Sequence, residues 1–191
     1  MRVLVIAESA ERADIVRQGL QIGGHETAEV IAPDGPPLPA AVERNRPDAV
    51  VLQAHSPDVD LLDRTVDAMG TTALPLIIFT DDSSERTISL AVRAGAAAYV
   101  VDGLQAARVP AIMQVALVRF EVLTGLRTEL TTAQQRLAER KFVERAKGLL
   151  MKARGLSEDE AYHTLRRMAM ERNRRLGDVA KSVLEMADLL N

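Results

Sequence analysis

The chain has 191 residues, 47% of them apolar and 27% charged, a balance that excludes a disordered or fibrous protein and leaves room for one large or two small domains. Cysteine is absent, which excludes disulfides, thiolate catalysis and cysteine-bound metal and accords with a cytoplasmic protein. The three histidines (His25, His55, His163) are too scattered for a metal site or a catalytic triad. The net charge of −3 is unevenly spread: nine arginines face sixteen acids up to Pro110, whereas fifteen Lys plus Arg face eleven acids from Ala111 onward, and all four lysines lie in the second part. Such asymmetry suggests an acidic regulatory half joined to a half that meets a polyanion.

Arg2–Ala7 reads as a buried first strand rather than a leader, since it passes into Glu8 with no small-residue cleavage site. No run of about 18 apolar residues is seen, so no membrane span is expected. Ala13, Val16 and Leu20 give Ser9–Gly23 helical spacing; Glu26–Ala32 reads as a strand, and residues 33–39, with four prolines, read as loop. Ala49–Gln53, Leu76–Thr80 and Ala97–Val101 are further short apolar runs, separated by helical stretches at Asp58–Met69 and Ser83–Ala94. The alternation predicts an α/β domain over residues 1–120, a doubly wound parallel sheet in flavodoxin-like order.

This pattern resembles a response-regulator receiver domain, whose fold and phosphorylation chemistry the resemblance would imply. The family's acidic pair after the first strand is matched only by Ala7 and Glu8. Its phosphoacceptor aspartate, four residues before a proline, falls at Gln53, an amide that cannot form an acyl phosphate. Thr80 and Tyr99 match the switch hydroxyl and aromatic, while Asp102-Gly103 stands where a lysine–proline pair belongs. The expectation is a pseudo-receiver with no phosphoacceptor and no cofactor or metal. Glu8, Asp81 and Asp82 have two readings, a shifted divalent-cation site or charges capping the next helix.

From Val109 the apolar positions Val109, Ile112 and Ala116, then Leu123, Leu126, Leu130, Ala133 and Leu137, step by three and four. Val109–Phe120 is expected to pack on the sheet. Residues 121–137 are expected to form a coiled-coil connector that dimerises through Leu123, Leu126, Leu130, Ala133 and Leu137.

Residues 138–191 read as three short helices. Phe142, Ala146, Leu149, Leu150 and Ala153 share one face up to Gly155; Ser157 and Glu160 form a capping box; Val179, Ala180, Val183, Leu184, Ala187 and Leu190 line a closing helix. On the middle helix His163, Arg166, Arg167, Met170 and Arg174 lie opposite Ala161, Leu165, Met168 and Ala169. Between Glu139 and Leu176 eleven cations face six acids, which reads either as a solvated face or as a nucleic-acid surface. The last helix offers Lys181 against Asp178, Glu185 and Asp188, a poor reader of a DNA groove.

The runs Glu144–Met151, Gly155–Tyr162, Met168-Ala169-Met170 and Leu176–Ala180 resemble the ANTAR domain, and the whole chain resembles the NasT-type regulators of nitrate assimilation. The resemblance implies an RNA-binding transcription antiterminator, not an enzyme, that stabilises paired hairpins in a leader transcript. It also implies a homodimer on RNA and a nitrate- or nitrite-sensing partner protein. Phosphate contacts are assigned to Arg140, Lys141, Arg145, Lys147 and Lys152, and base or loop contacts to Tyr162, His163, Arg166, Arg167, Asn173 and Arg174. Tyr162 could equally be a packed core residue, and Gly148 reads as a close-packing position. The competing reading is a protein-interaction adaptor that works through the receiver-like domain and coiled coil.

Overall fold

A computed structural model describes residues 1–35, 37–70 and 74–188, with backbone alone at 187 and 188. The chain divides into two compact units, Met1–Thr124 and Gly125–Asn191.

In the first unit, strands β1 (Arg2–Ala7), β2 (Glu26–Ile31), β3 (Ala49–Gln53), β4 (Leu76–Thr80) and β5 (Ala98–Val101) form one parallel sheet in the order β2-β1-β3-β4-β5. Alternate residues of the central strands point to opposite faces, so their continuous apolar runs serve two cores. Leu4, Ile6, Val50, Leu52, Leu76 and Ile78 pack under α2 (Leu38–Asn45), α3 (Val59–Met69) and α4 (Glu85–Arg93). Val3, Val5, Val51, Ile77 and Phe79 pack under α1 (Ala10–Ile22) and the first turns of α5 (Val109–Arg154), through Val109, Met113 and Ala116. Ser9, Asp58 and Ser84 cap α1, α3 and α4, each accepting a hydrogen bond from a backbone N–H three residues on.

Two expectations change here. The stretch read as loop to residue 39 gives way at Leu38 to α2, whose Pro39 sits in the first turn, where its missing N–H costs nothing. Within that helix Leu38, Ala41 and Asn45 are buried at helical spacing. Pro36 of the same stretch lies outside the described residues. The second change concerns α5, which is long and apolar enough by length and composition to cross a membrane, where no such stretch was expected. Its first turns are apolar on two faces. Val109, Met113 and Ala116 are buried under the sheet, and Val115, Val118 and Val122 on the other side are exposed.

In the second unit the C-terminal part of α5 packs with α6 (Glu158–Glu171) and α7 (Leu176–Asp188) around Ala146, Leu150, Ala161, Leu165, Ala169, Val179, Ala180, Val183 and Leu184. Gly155, at φ +67°, stops α5 in the left-handed conformation that glycine adopts without strain. Ala153, expected on the core face, is exposed two residues before that stop. The side chain of Ala187 and all of Leu190, expected in the stripe of the closing helix, lie outside the described residues.

Candidate nucleic-acid interface

The carboxyl edge of the sheet, where a receiver would do its chemistry, is closed by mutual pairing. Gln53 is fully buried, and its side-chain amide oxygen accepts from Arg12 Nη1 at 3.1 Å. The other guanidinium nitrogen of Arg12 donates to Asp81 Oδ2, and the hydrogen bond to Asp81 raises the pKa of Arg12. Asp81 also meets His55 Nδ1 at 2.8 Å; its carboxyl is held below the usual range by Arg12 first and His55 second. Glu8 accepts from the His55 backbone N–H at 2.7 Å. Asp82 accepts from the Ser84 N–H (2.7 Å), Thr87 Oγ1 (2.8 Å) and Ser56 Oγ (2.9 Å), which together lower its pKa to about 2.

The three carboxylates of the shifted-cation reading are not left open to solvent donors alone. Each is committed to a protein donor, and no group of three His, Asp or Glu among the described residues is arranged to hold a metal. Asp82 instead organises the turn into α4, the capping alternative. Thr80 donates to the His55 carbonyl at 2.9 Å, and Tyr99 donates to the Asp82 carbonyl at 2.9 Å. Asp102 is left-handed at φ +49°, and a Cβ on Gly103 would come 2.4 Å from Val100 Cγ1, so Asp102-Gly103 serves a tight turn. Arg12 and His55 were missed by sequence reasoning, because an arginine one turn into a helix carries no signal until the sheet brings Gln53 and Asp81 to it.

The second unit treats its charges differently. On α5, Arg140, Lys141, Arg145 and Lys152 are exposed, and none forms an ion pair among the described residues. Lys147 does not join them. It is buried, with Nζ 2.6 Å from Glu158 and 2.9 Å from Glu144, so it ties α5 to the start of α6 and is withdrawn from the phosphate-contact set. Those hydrogen bonds, Glu158 first, raise its pKa.

The capping box of α6 is complete. Ser157 Oγ accepts from the Glu160 N–H, and Glu160 accepts from the Ser157 N–H at 2.8 Å. The exposed side carries Tyr162, His163, Arg166, Arg167 and Met170. Tyr162 is therefore a surface residue, set edge-on to His163 with ring centroids 6.1 Å apart. Arg167 meets Glu171 only loosely, at 3.9 Å. Arg174 reaches Ser182 Oγ at 3.3 Å and stays exposed.

Asn173 has a structural task that the contact assignment overlooked. It is left-handed at φ +47°, its N–H bonds the Met170 carbonyl, and the Arg174 N–H bonds the Ala169 carbonyl, the paired closure of a Schellman helix end. Asparagine tolerates that conformation, which accounts for its presence without a ligand. Gly148 is also corrected: nothing lies within 4 Å of a Cβ built there, so it is not a packing position. The close approach is at Gly177 instead, where a Cβ would sit 2.7 Å from Glu139 Cγ and 3.0 Å from its Cβ. The seam residues Leu123, Leu126, Leu130, Ala133 and Leu137 are all exposed in the single chain, the leucines by 41–59%.

The chain thus joins a receiver-type sheet, with Gln53 where a phosphoacceptor would stand, to a long helix whose end packs with two further helices in a cationic module. Residues 131–184 match the ANTAR domain. The chain belongs to the ANTAR-domain transcriptional regulators: it is 32% identical over 189 residues to the transcriptional regulatory protein PdtaR of Mycobacterium tuberculosis, covering 96% of this chain and 89% of that protein. It is also 37% identical over 67 residues to the nitrate regulatory protein of Klebsiella oxytoca, covering 35% of this chain and 17% of that protein.

Among solved structures the fold is similar to NtrX from Brucella abortus (TM-score 0.53, 22% identity, 76% of this chain and 35% of that one). It is also similar to the signal receiver domain of a modulated diguanylate cyclase from Desulfovibrio desulfuricans (TM-score 0.52, 19% identity, 63% of this chain and 96% of that one).

Proposed function

We propose that this regulator is a cytoplasmic RNA-binding transcription antiterminator that stabilises paired hairpins in a leader transcript. One observation carries the reading: among the described residues the exposed cations Arg140, Lys141, Arg145, Lys152 and Arg166 have no carboxylate partner and Arg167 only a loose one, and Arg166 and Arg167 lie one helical turn from the exposed pair Tyr162 and His163. Guanidinium forks suit phosphates and base edges, and an aromatic plane suits a base splayed out of a hairpin loop. A three-helix module of this size reads loops rather than an A-form stem, whose deep groove excludes side chains.

The exposed leucine seam would make a homodimer. Two modules on one dimer would engage two hairpins on one RNA, with an effective concentration on the order of millimolar. Regulation would then act through dimerisation or release by a partner protein rather than through phosphorylation of the first unit. The nitrate regulatory protein among the relatives favours a leader of a nitrate or nitrite assimilation operon and a nitrate- or nitrite-sensing partner.

Single-round transcription on a template with two leader hairpins ahead of a terminator tests this reading. The full chain is expected to raise read-through, and Arg166→Ala with Arg167→Ala to abolish the increase while the helical CD signal is unchanged. Read-through that survives the double substitution would contradict the assignment and favour an adaptor role.

A further inference from the structure

Gly148 lies in the interior of α5, seven residues before the glycine that ends it, with helical rather than left-handed backbone. A glycine there costs the helix about 1 kcal/mol relative to alanine, and neither usual reason for keeping one applies. The backbone needs no special conformation, and the space a Cβ would fill is open.

Its surroundings are specific. At 100° per residue, Lys141, Arg145 and Lys152 fall within about 60° on one side of Gly148, and Glu144 and Met151 within about 60° on the other. The three cations and Met151 are exposed, while Glu144 is engaged by Lys147 at 2.9 Å. The core residues Phe142, Ala146, Leu149 and Leu150 occupy the far side of the helix.

We infer that Gly148 is a backbone-approach position for RNA. The missing side chain opens a notch in which a ribose-phosphate strand lies against the helix backbone, held by Lys141, Arg145 and Lys152 and edged by the Met151 thioether. The inference rests on the RNA-binding reading above and adds a contact residue with no charge.

The other occupant to weigh is a second copy of the chain, because Gly148 continues the spacing of Leu126 and Leu137 at eleven-residue steps. Past Leu137, however, that ridge turns from leucine to Arg140, Lys141, Arg145 and Lys152, and a parallel self-pairing would set each cation against its own copy. A polyanion relieves that repulsion, and a like-charged helix adds to it.

The test uses the full chain and an RNA of two stem-loops, selected on the wild-type protein from a pool with randomised loops. Fluorescence anisotropy gives affinity, sedimentation velocity the dimer fraction and thermal melting the stability. Gly148→Ala is expected to raise the melting temperature and weaken RNA binding about tenfold, and Gly148→Leu to weaken it about 100-fold, with the dimer fraction unchanged. Unchanged affinity in both variants, beside a loss in Arg166→Ala with Arg167→Ala, would overturn the notch and leave the RNA reading standing. Loss of affinity in step with loss of dimer would also overturn it, making Gly148 a helix–helix contact. A pool from which the wild type enriches nothing would overturn both.

Discussion

The two units carry charge to opposite ends. At the sheet edge of the first, Arg12, Asp81, His55, Glu8 and Asp82 are joined to one another or to nearby backbone and hydroxyl groups, and Gln53 is bound into the same set. On the exposed faces of the second, Arg140, Lys141, Arg145, Lys152 and Arg166 have no carboxylate partner among the described residues. Cations without local counterions attract a polyanion and release its condensed ions, whereas a neutralised cluster does neither. The contrast supports the proposal that the second unit is the one that meets RNA. In the first, Arg12 bridges Gln53 and Asp81.

The largest expected effect breaks the second half of that comparison. Arg166→Ala with Arg167→Ala should lower RNA affinity by about 100-fold or more, at about 1–3 kcal/mol per lost charge-assisted contact, with no change in helicity. Lys147→Ala should behave differently: as a buried partner of Glu144 and Glu158, its loss should appear first in thermal unfolding, with RNA affinity following only as the module loosens.

In the first unit, Gly19→Ala should destabilise the fold by about 1–3 kcal/mol, because its Cβ would meet Val109 Cβ at 2.4 Å and the Ala106 carbonyl at 2.9 Å. Chemical denaturation would show this, and RNA binding at low temperature should be unaffected. Gln53→Asp should not restore labelling by acetyl phosphate, since Ala7 and Asp102-Gly103 still stand in place of the second acid and the lysine. A phosphorylated product detected by mass spectrometry would show that Arg12 can substitute for them.

The smallest effect is a titration. Asp82 is held at about 2, below its unperturbed value, so the stabilisation it lends the turn before α4 is full above about pH 4. That stabilisation is lost as pH falls through about 2. Carboxyl chemical shifts across pH 1.5–5 should place its midpoint near the bottom of that range; a midpoint near 4 would mean that the hydroxyl and N–H donors do not persist in solution.

The sheet was legible because period and run length report it directly: the central strands carry continuous apolar runs of four or five residues, and their helices carry serine or aspartate caps. The first turn of α2 was hidden by prolines that forbid a helix interior but not its start. The cationic face of α6 followed from angular spacing. Spacing alone cannot separate Lys147, which pairs across to Glu158, from Lys141, which pairs with nothing described, since the difference lies in a contact between two helices. Asn173 and Gly177 were obscure for a related reason: a left-handed φ and the approach of Glu139 belong to the folded backbone and leave no periodic trace.

The central claim is that open cations near the C-terminus hold RNA while the paired cluster at the sheet edge does not. Binding of the full chain to two-hairpin RNA, measured from 50 to 400 mM salt, tests it most directly. A log–log slope of about −3 or steeper is predicted, reduced by roughly 1.5 in Arg166→Ala with Arg167→Ala and unmoved by Arg12→Ala. A flat salt profile, or a slope that responds to Arg12 and not to Arg166 and Arg167, would contradict the account.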